Sequence, residues 1–186
     1  MSYTGKRITI LLMAWGLLLF VGITFRINVT TPPLPSLTPS PQPTPAPGDQ
    51  AAALRQTLAT DPTNLDALVQ LAGLDYDQQN WTEAISLYQR ALVIDPHNVD
   101  VLVHEAAAQL YSLQFPDAES TLHQAADLAP DRADIHLLLG LALSRGTPPD
   151  IAGARVEWQK VVALVPDTAL AQEAQNLLAA ATPTGQ

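Results

Sequence analysis

Four histidines, one His-Glu dipeptide and a close pair of aspartates are the residues whose types would support chemistry. His97, His104, His123 and His136 are the only histidines, and no two stand four residues apart, the spacing that sets two metal ligands on one helical face. His104-Glu105 opens like the zinc-protease signature His-Glu-x-x-His, but position 108 is Ala108 and the second histidine is missing. His104 and His136 are placed to approach each other from neighbouring helices, yet a zinc site takes three or four ligands, so ordinary packing or surface roles are expected. Asp75 and Asp77 read as a solvated acidic pair. There is no cysteine, which removes disulfides, thiolate metal sites and a thiol nucleophile. Neither a glycine-rich phosphate loop nor Gly-x-Ser-x-Gly occurs. The expectation is a protein that is not an enzyme, with no catalytic residues, no cofactor and no metal.

The composition says what kind of scaffold holds these side chains. With 47% hydrophobic residues the chain is able to build a core, while only 5% are aromatic. Alanine and leucine in place of β-branched and aromatic residues favour an all-α fold. Every acidic residue lies from Asp49 onward, so residues 49–186 carry six basic against eighteen acidic residues, a net charge of −12. That field repels a phosphate backbone, so no nucleic acid is expected, and a basic or apolar polypeptide is the better partner.

The N-terminal part differs in kind. Residues 1–7 form a short basic terminus, and 8–25 (Ile8 to Phe25) are eighteen uncharged, mostly apolar positions. As a helix they would extend about 27 Å, close to the roughly 30 Å hydrocarbon layer of a bilayer. A transmembrane helix is expected in preference to a cleaved signal peptide, because the run is long and Phe25-Arg26-Ile27-Asn28 offers no small-residue cleavage site. Lys6 and Arg7 precede the span and only Arg26 follows it, so the N-terminus is expected to be cytoplasmic and the remainder extracytoplasmic. Residues 26–49 hold eight prolines among threonines and serines and read as an extended linker.

Beyond the linker a period appears. Pro62 and Pro96 are 34 residues apart, Pro96 and Pro130 another 34, and Pro130 and Pro166 are 36 apart, the extra two falling in Gly146-Thr147-Pro148-Pro149. Alignment on these prolines superimposes small residues: Ala72, Ala84 and Ala91; then Ala106, Ala118 and Ala125; then Gly140 and Ala154. Large residues alternate with them, namely Trp81 and Tyr88, Phe115 and Leu122, and Trp158. The expected helix pairs are 65–78 with 81–94, 99–113 with 116–129, and 133–145 with 150–164.

In these columns, and most closely along Asn80 to Pro96, the chain resembles the tetratricopeptide repeat (TPR) family. The resemblance implies an all-α solenoid of three helix-turn-helix repeats over 62–166, a capping helix at 50–61, and a C-terminal capping helix and tail at 167–186. Two departures stand out. The tyrosine usual in each first helix is replaced by Asp75, Gln109 and Leu143. Glu105 also occupies a column filled by Leu71 and Leu139 in the other blocks, and must find a partner or reach water.

What the resemblance implies about function is a membrane-anchored scaffold for protein–protein interaction, its first helices lining a groove that takes a peptide. The residues so implicated are Gln70, Tyr76, Val103, His104, Ala107, Tyr111, Leu138, Leu141 and Arg145, beside Asp66, Val69, Gly73, Asp77, Asp100 and Leu137. Relatives that clamp a terminal carboxylate use lysine, arginine and asparagine in these columns. Only Arg145 is available here, so an apolar segment with basic flanks is expected. Two alternatives remain: a self-assembling structural protein, and an accessory subunit of c-type cytochrome maturation presenting an apocytochrome tail. Glu157 to Pro166 is similar to the latter group.

Overall fold

The computed structural model describes residues 47–181. The membrane span read at 8–25, the linker up to residue 46 and the tail from 182 lie outside the described residues. Among the described residues, no helix is long and apolar enough to cross a membrane.

All described regular structure is helical. The elements are α1 (Pro47–Thr60), α2 (Leu65–Asp77), α3 (Trp81–Ile94), α4 (Val99–Tyr111), α5 (Phe115–Leu128), α6 (Ala133–Arg145), α7 (Ile151–Leu164) and α8 (Ala169–Ala180). The pairs α2/α3, α4/α5 and α6/α7 stack in chain order, with α1 against α2 and α8 against α7. The helix α1 takes in Pro47–Asp49, which composition alone assigns to the linker. Proline at a first helical position loses no hydrogen bond, and Asp49 in the first turn complements the helix dipole.

The turns between pairs explain the repeated Asp-Pro. Asp61 accepts from the Thr63 amide at 3.2 Å and from Asn64 Nδ2 at 3.4 Å, and Asn64 Oδ1 then caps α2 by accepting the Ala67 amide at 3.0 Å. One period later Asp95 holds His97 and Asn98, and Asn98 caps α4 through the Val101 amide at 3.2 Å. Each such cap stabilises its helix by about 1 kcal/mol. Proline two residues past each second helix cannot continue it. Within the first two pairs the turn passes through Gln79 and Leu113, both at φ 63°, a left-handed conformation that side chains other than glycine and asparagine adopt at a cost.

The core runs through three linked clusters. Leu68, Leu71 and Tyr88 anchor the first, Leu102, Leu122 and Ile135 the second, and Trp158 and Val161 the third. Leu92 packs against the first two, and Leu141 and Leu143 against the last two, so no pair buries its apolar face alone. Burial of each large side chain stabilises by about 2 kcal/mol. The small columns permit this approach: Ala72, Ala84, Ala91, Ala106, Ala118, Ala125 and Ala154 are wholly enclosed. At Gly140 the approach is closest, because a Cβ would sit 2.3 Å from Trp158 Nε1.

Buried polar groups are concentrated between a second helix and the next first helix. Asp75 lies 3.8 Å from Arg55 of α1 and accepts from Asn80 at 3.4 Å. One period on, Gln89 Nε2 donates to Glu105 Oε1 at 3.1 Å, and Gln109 Nε2 donates to the same oxygen at 2.9 Å. Burial pushes the Glu105 carboxyl above the usual range, against partial relief from Gln89 and with a small addition from Asp117. The departures at Asp75, Glu105 and Gln109 are therefore one recurring polar contact.

Candidate functional site

The expected groove residues divide among core, furrow and rim. Between the N-terminal halves of α2 and α4 opens a furrow of about 420 Å³, lined by Leu65, Asp66, Val69, Asn98, Asp100, Val101 and His104. The helices set these side chains on facing surfaces because residues three and four apart share a helical face. His104 is exposed and lies nearly parallel to the buried Tyr88 ring, with centroids 5.9 Å apart at 18°. Burial raises the Tyr88 phenol to about 12, so it stays neutral at physiological pH. Both carboxylates of the furrow are engaged: Asp66 accepts from Gln70 at 2.7 Å, and Asp100 takes Arg132 Nη1. Arg132 also grips Asp134 at 2.6 Å and holds that carboxyl below its usual range.

At the opposite ends of the same helices lies a second concavity of about 530 Å³, lined by Tyr76, Asp77, Gln79, Trp81 and Tyr111. Trp81 and Tyr111 stack with centroids 4.9 Å apart at 17°, and Tyr76 meets both edge-on, at 4.9 Å and 5.8 Å. Tyr111 is 61% exposed. Burial, with the adjacent Tyr111 and the Asp77 charge, pushes the Tyr76 phenol up to about 12. Asp66 of the furrow and Asp77 of this rim are eleven residues apart on α2, about 16 Å along the helix.

The structure thus brings Tyr76 and Tyr111 together and sets His104 and Gln70 beside the furrow. Val103 is 8% exposed and enclosed in the second core cluster, and it lines neither concavity. Leu137, at 6%, is enclosed in the third cluster, to which α7 and α8 contribute Ala154, Trp158, Val161 and Ala174. Leu138 and Leu141 are half-buried against the core, Ala107 is half-buried, and Arg145 is exposed at the end of α6. Trp81 reads from its column as an interhelical filler, yet its ring reaches the last residue of α4.

The other candidate residues fall into structural roles. Asp75 is buried while Asp77 is exposed, so the two do not act as a pair. His136 does not face His104; it is buried, with Nδ1 2.7 Å from Glu157 Oε2 and Nε2 2.7 Å from the Pro130 carbonyl. Glu157 in turn accepts from Lys160 at 2.9 Å. Among the described residues no three His, Cys, Asp or Glu side chains are grouped as a metal site requires.

Stacked helix pairs with open first helices define an α-solenoid scaffold of the protein-interaction type. The tetratricopeptide repeat model matches residues 49–110 and 75–142, and the chain belongs to that family. Among solved structures it is similar to MamA, with 20% identity, a TM-score of 0.61, and coverage of 72% of this chain and 87% of that one. The first TPR domain of Spaghetti (RPAP3), bound to the HSP90 peptide SRMEEVD, gives 22% identity and a TM-score of 0.57, covering 64% of this chain and 94% of that one. The second TPR domain of human RPAP3, in complex with the HSP70 peptide SGPTIEEVD, gives 18% and 0.54, covering 73% and 98%. At these identities the likeness establishes the fold. No curated protein matches the sequence.

Proposed function

We propose that this protein is a membrane-anchored TPR scaffold that binds a basic or apolar polypeptide segment along α2 and α4. The observation that carries the reading is the pair of open concavities on those helices, one apolar and acidic around His104, the other aromatic around Tyr111. The two TPR domains of RPAP3 are each bound to an acidic peptide ending in Glu-Glu-Val-Asp. The acidic lining here, with Asp66, Asp77 and Asp100, favours a segment of opposite charge.

The test uses the full chain, solubilised from membranes and immobilised, with the His104→Ala/Tyr111→Ala variant beside it. A polypeptide retained by the native chain and lost from the variant is the expected result. Retention unchanged by the double substitution removes the groove assignment, and light scattering that shows oligomers without ligand would favour self-assembly. The anchor is tested separately: because the chain has no cysteine, a single Ser112→Cys thiol reports its own side of the bilayer. Labelling of intact cells or spheroplasts by a membrane-impermeant maleimide is expected, and protection until lysis would reverse the orientation.

The cytochrome-maturation reading draws on Glu157 to Pro166. In that stretch Trp158 and Val161 are core residues and Glu157 pairs with His136, so packing of the third pair accounts for them.

A further inference from the structure

We propose that the aromatic rim of Tyr76, Asp77, Gln79, Trp81 and Tyr111 is a recognition site for one arginine side chain of the bound partner. The proposal rests on the reading that the chain binds a polypeptide, and it names the chemistry of one anchor.

Three observations lead to it. Trp81 and Tyr111 form a near-parallel stack, and Tyr111, at 61% exposure, leaves room for a third planar layer. A guanidinium is planar, weakly hydrated and attracted to the negative face of an aromatic ring, so it suits that layer better than an ammonium. Asp77 supplies the countercharge: it lines the same concavity and has no ion pair or hydrogen bond among the described residues, whereas Asp66 and Asp100 of the furrow are already engaged. The fold itself provides no occupant, since no lysine or arginine among the described residues lines this concavity. The region's net charge of −12 attracts a cation to the rim over a longer range.

Geometry fixes how this anchor relates to the furrow. Val69 and Tyr76 on α2, and His104 and Tyr111 on α4, are each seven residues apart, about 10 Å along the helix, so at about 3.3 Å per extended residue an arginine in the rim places the residue about three positions away beside Val69 and His104. A segment with an apolar residue and an arginine at that separation would occupy both.

The experiment titrates the full chain in detergent micelles, tryptophan-labelled with nitrogen-15, with N-acetyl-arginine amide and its neutral isostere N-acetyl-citrulline amide. The chain has three tryptophans, and Trp81→Phe identifies the Trp81 indole signal. A saturable shift of that signal with arginine and a response at least about tenfold weaker with citrulline is the expected result. Asp77→Asn and Tyr111→Leu should each weaken arginine binding several-fold while the Trp158 signal, reporting the folded core, stays in place. Equal shifts with citrulline, no saturation, or undiminished binding in both variants overturns the proposal. If the rim takes arginine but the full chain retains no polypeptide, the function proposed above fails and the rim site stands. If a polypeptide is retained through the His104 furrow and its affinity is unchanged by Tyr111→Leu, the rim site fails alone.

Discussion

Glycine is replaced by alanine at two helical positions with opposite consequences. Gly73 on α2 has nothing within 4 Å of an added Cβ, so Gly73→Ala brings only the gain in helix propensity, about 1 kcal/mol. At Gly140 on α6 the same methyl would lie 2.3 Å, 2.6 Å and 2.8 Å from Nε1, Cδ1 and Cε2 of Trp158. That indole is 2% exposed and rigid, and its Nε1–H donates to the Leu137 carbonyl at 3.3 Å, so it cannot retreat without disturbing the third cluster. Overpacking of this kind costs about 1–3 kcal/mol, and weakening the indole hydrogen bond about 1 kcal/mol more. Set against the propensity gain, Gly140→Ala should destabilise by about 1–3 kcal/mol, while Gly73→Ala should raise the melting temperature by about 3–4 °C. Urea unfolding followed by far-ultraviolet circular dichroism measures both. The mechanism is checked by a double-mutant cycle with Trp158→Leu, a substitution that copies the leucine supplied by Leu122 one block earlier. In that background Gly140→Ala should become neutral or favourable. A Gly140→Ala protein as stable as the native one, or a penalty that persists once Trp158→Leu has removed the indole, would refute the steric account.

Other substitutions probe the polar contacts and turns. Glu105→Gln keeps an oxygen for Gln89 and Gln109 while removing the buried charge, so it should stabilise the protein at neutral pH. Because the folded Glu105 carboxyl titrates above its unfolded value, the native state binds more protons between the two, and stability falls as pH rises through that window; denaturant midpoints across pH should lose this slope in Glu105→Gln. His136→Leu removes the contacts to Glu157 and to the Pro130 carbonyl and should cost about 2–3 kcal/mol in urea unfolding, with Glu157 left to Lys160 alone. Leu113→Gly relieves a left-handed backbone at a side chain that is 71% exposed; a melting temperature equal to or up to about 4 °C above the native value is expected, and a clear loss would show that Leu113 packs more tightly than its exposure implies.

The period in the sequence carries most of the fold because it is written in local rules. Asp-Pro-x-Asn makes a turn and a cap wherever it stands, and the columns Ala72, Ala106, Gly140 and Tyr88, Leu122, Trp158 even show compensation, glycine standing opposite the largest ring. What the period does not carry is the lateral offset between neighbouring pairs, which decides which column touches which. Val103 sits in a groove column by register, yet it lies in the second core cluster. Gln89 is polar and outward by its own helix, yet it satisfies Glu105 sixteen residues later. Trp81 and Tyr111 are thirty residues apart, at the start of a second helix and the end of the next first helix, and their 4.9 Å stack depends on the rotation from one pair to the next. That rotation follows from the packed volumes along the whole interface, so no single window of sequence reports it. The proposed binding surface is built mainly from contacts of this second kind, and for that reason it emerges from the assembled helices.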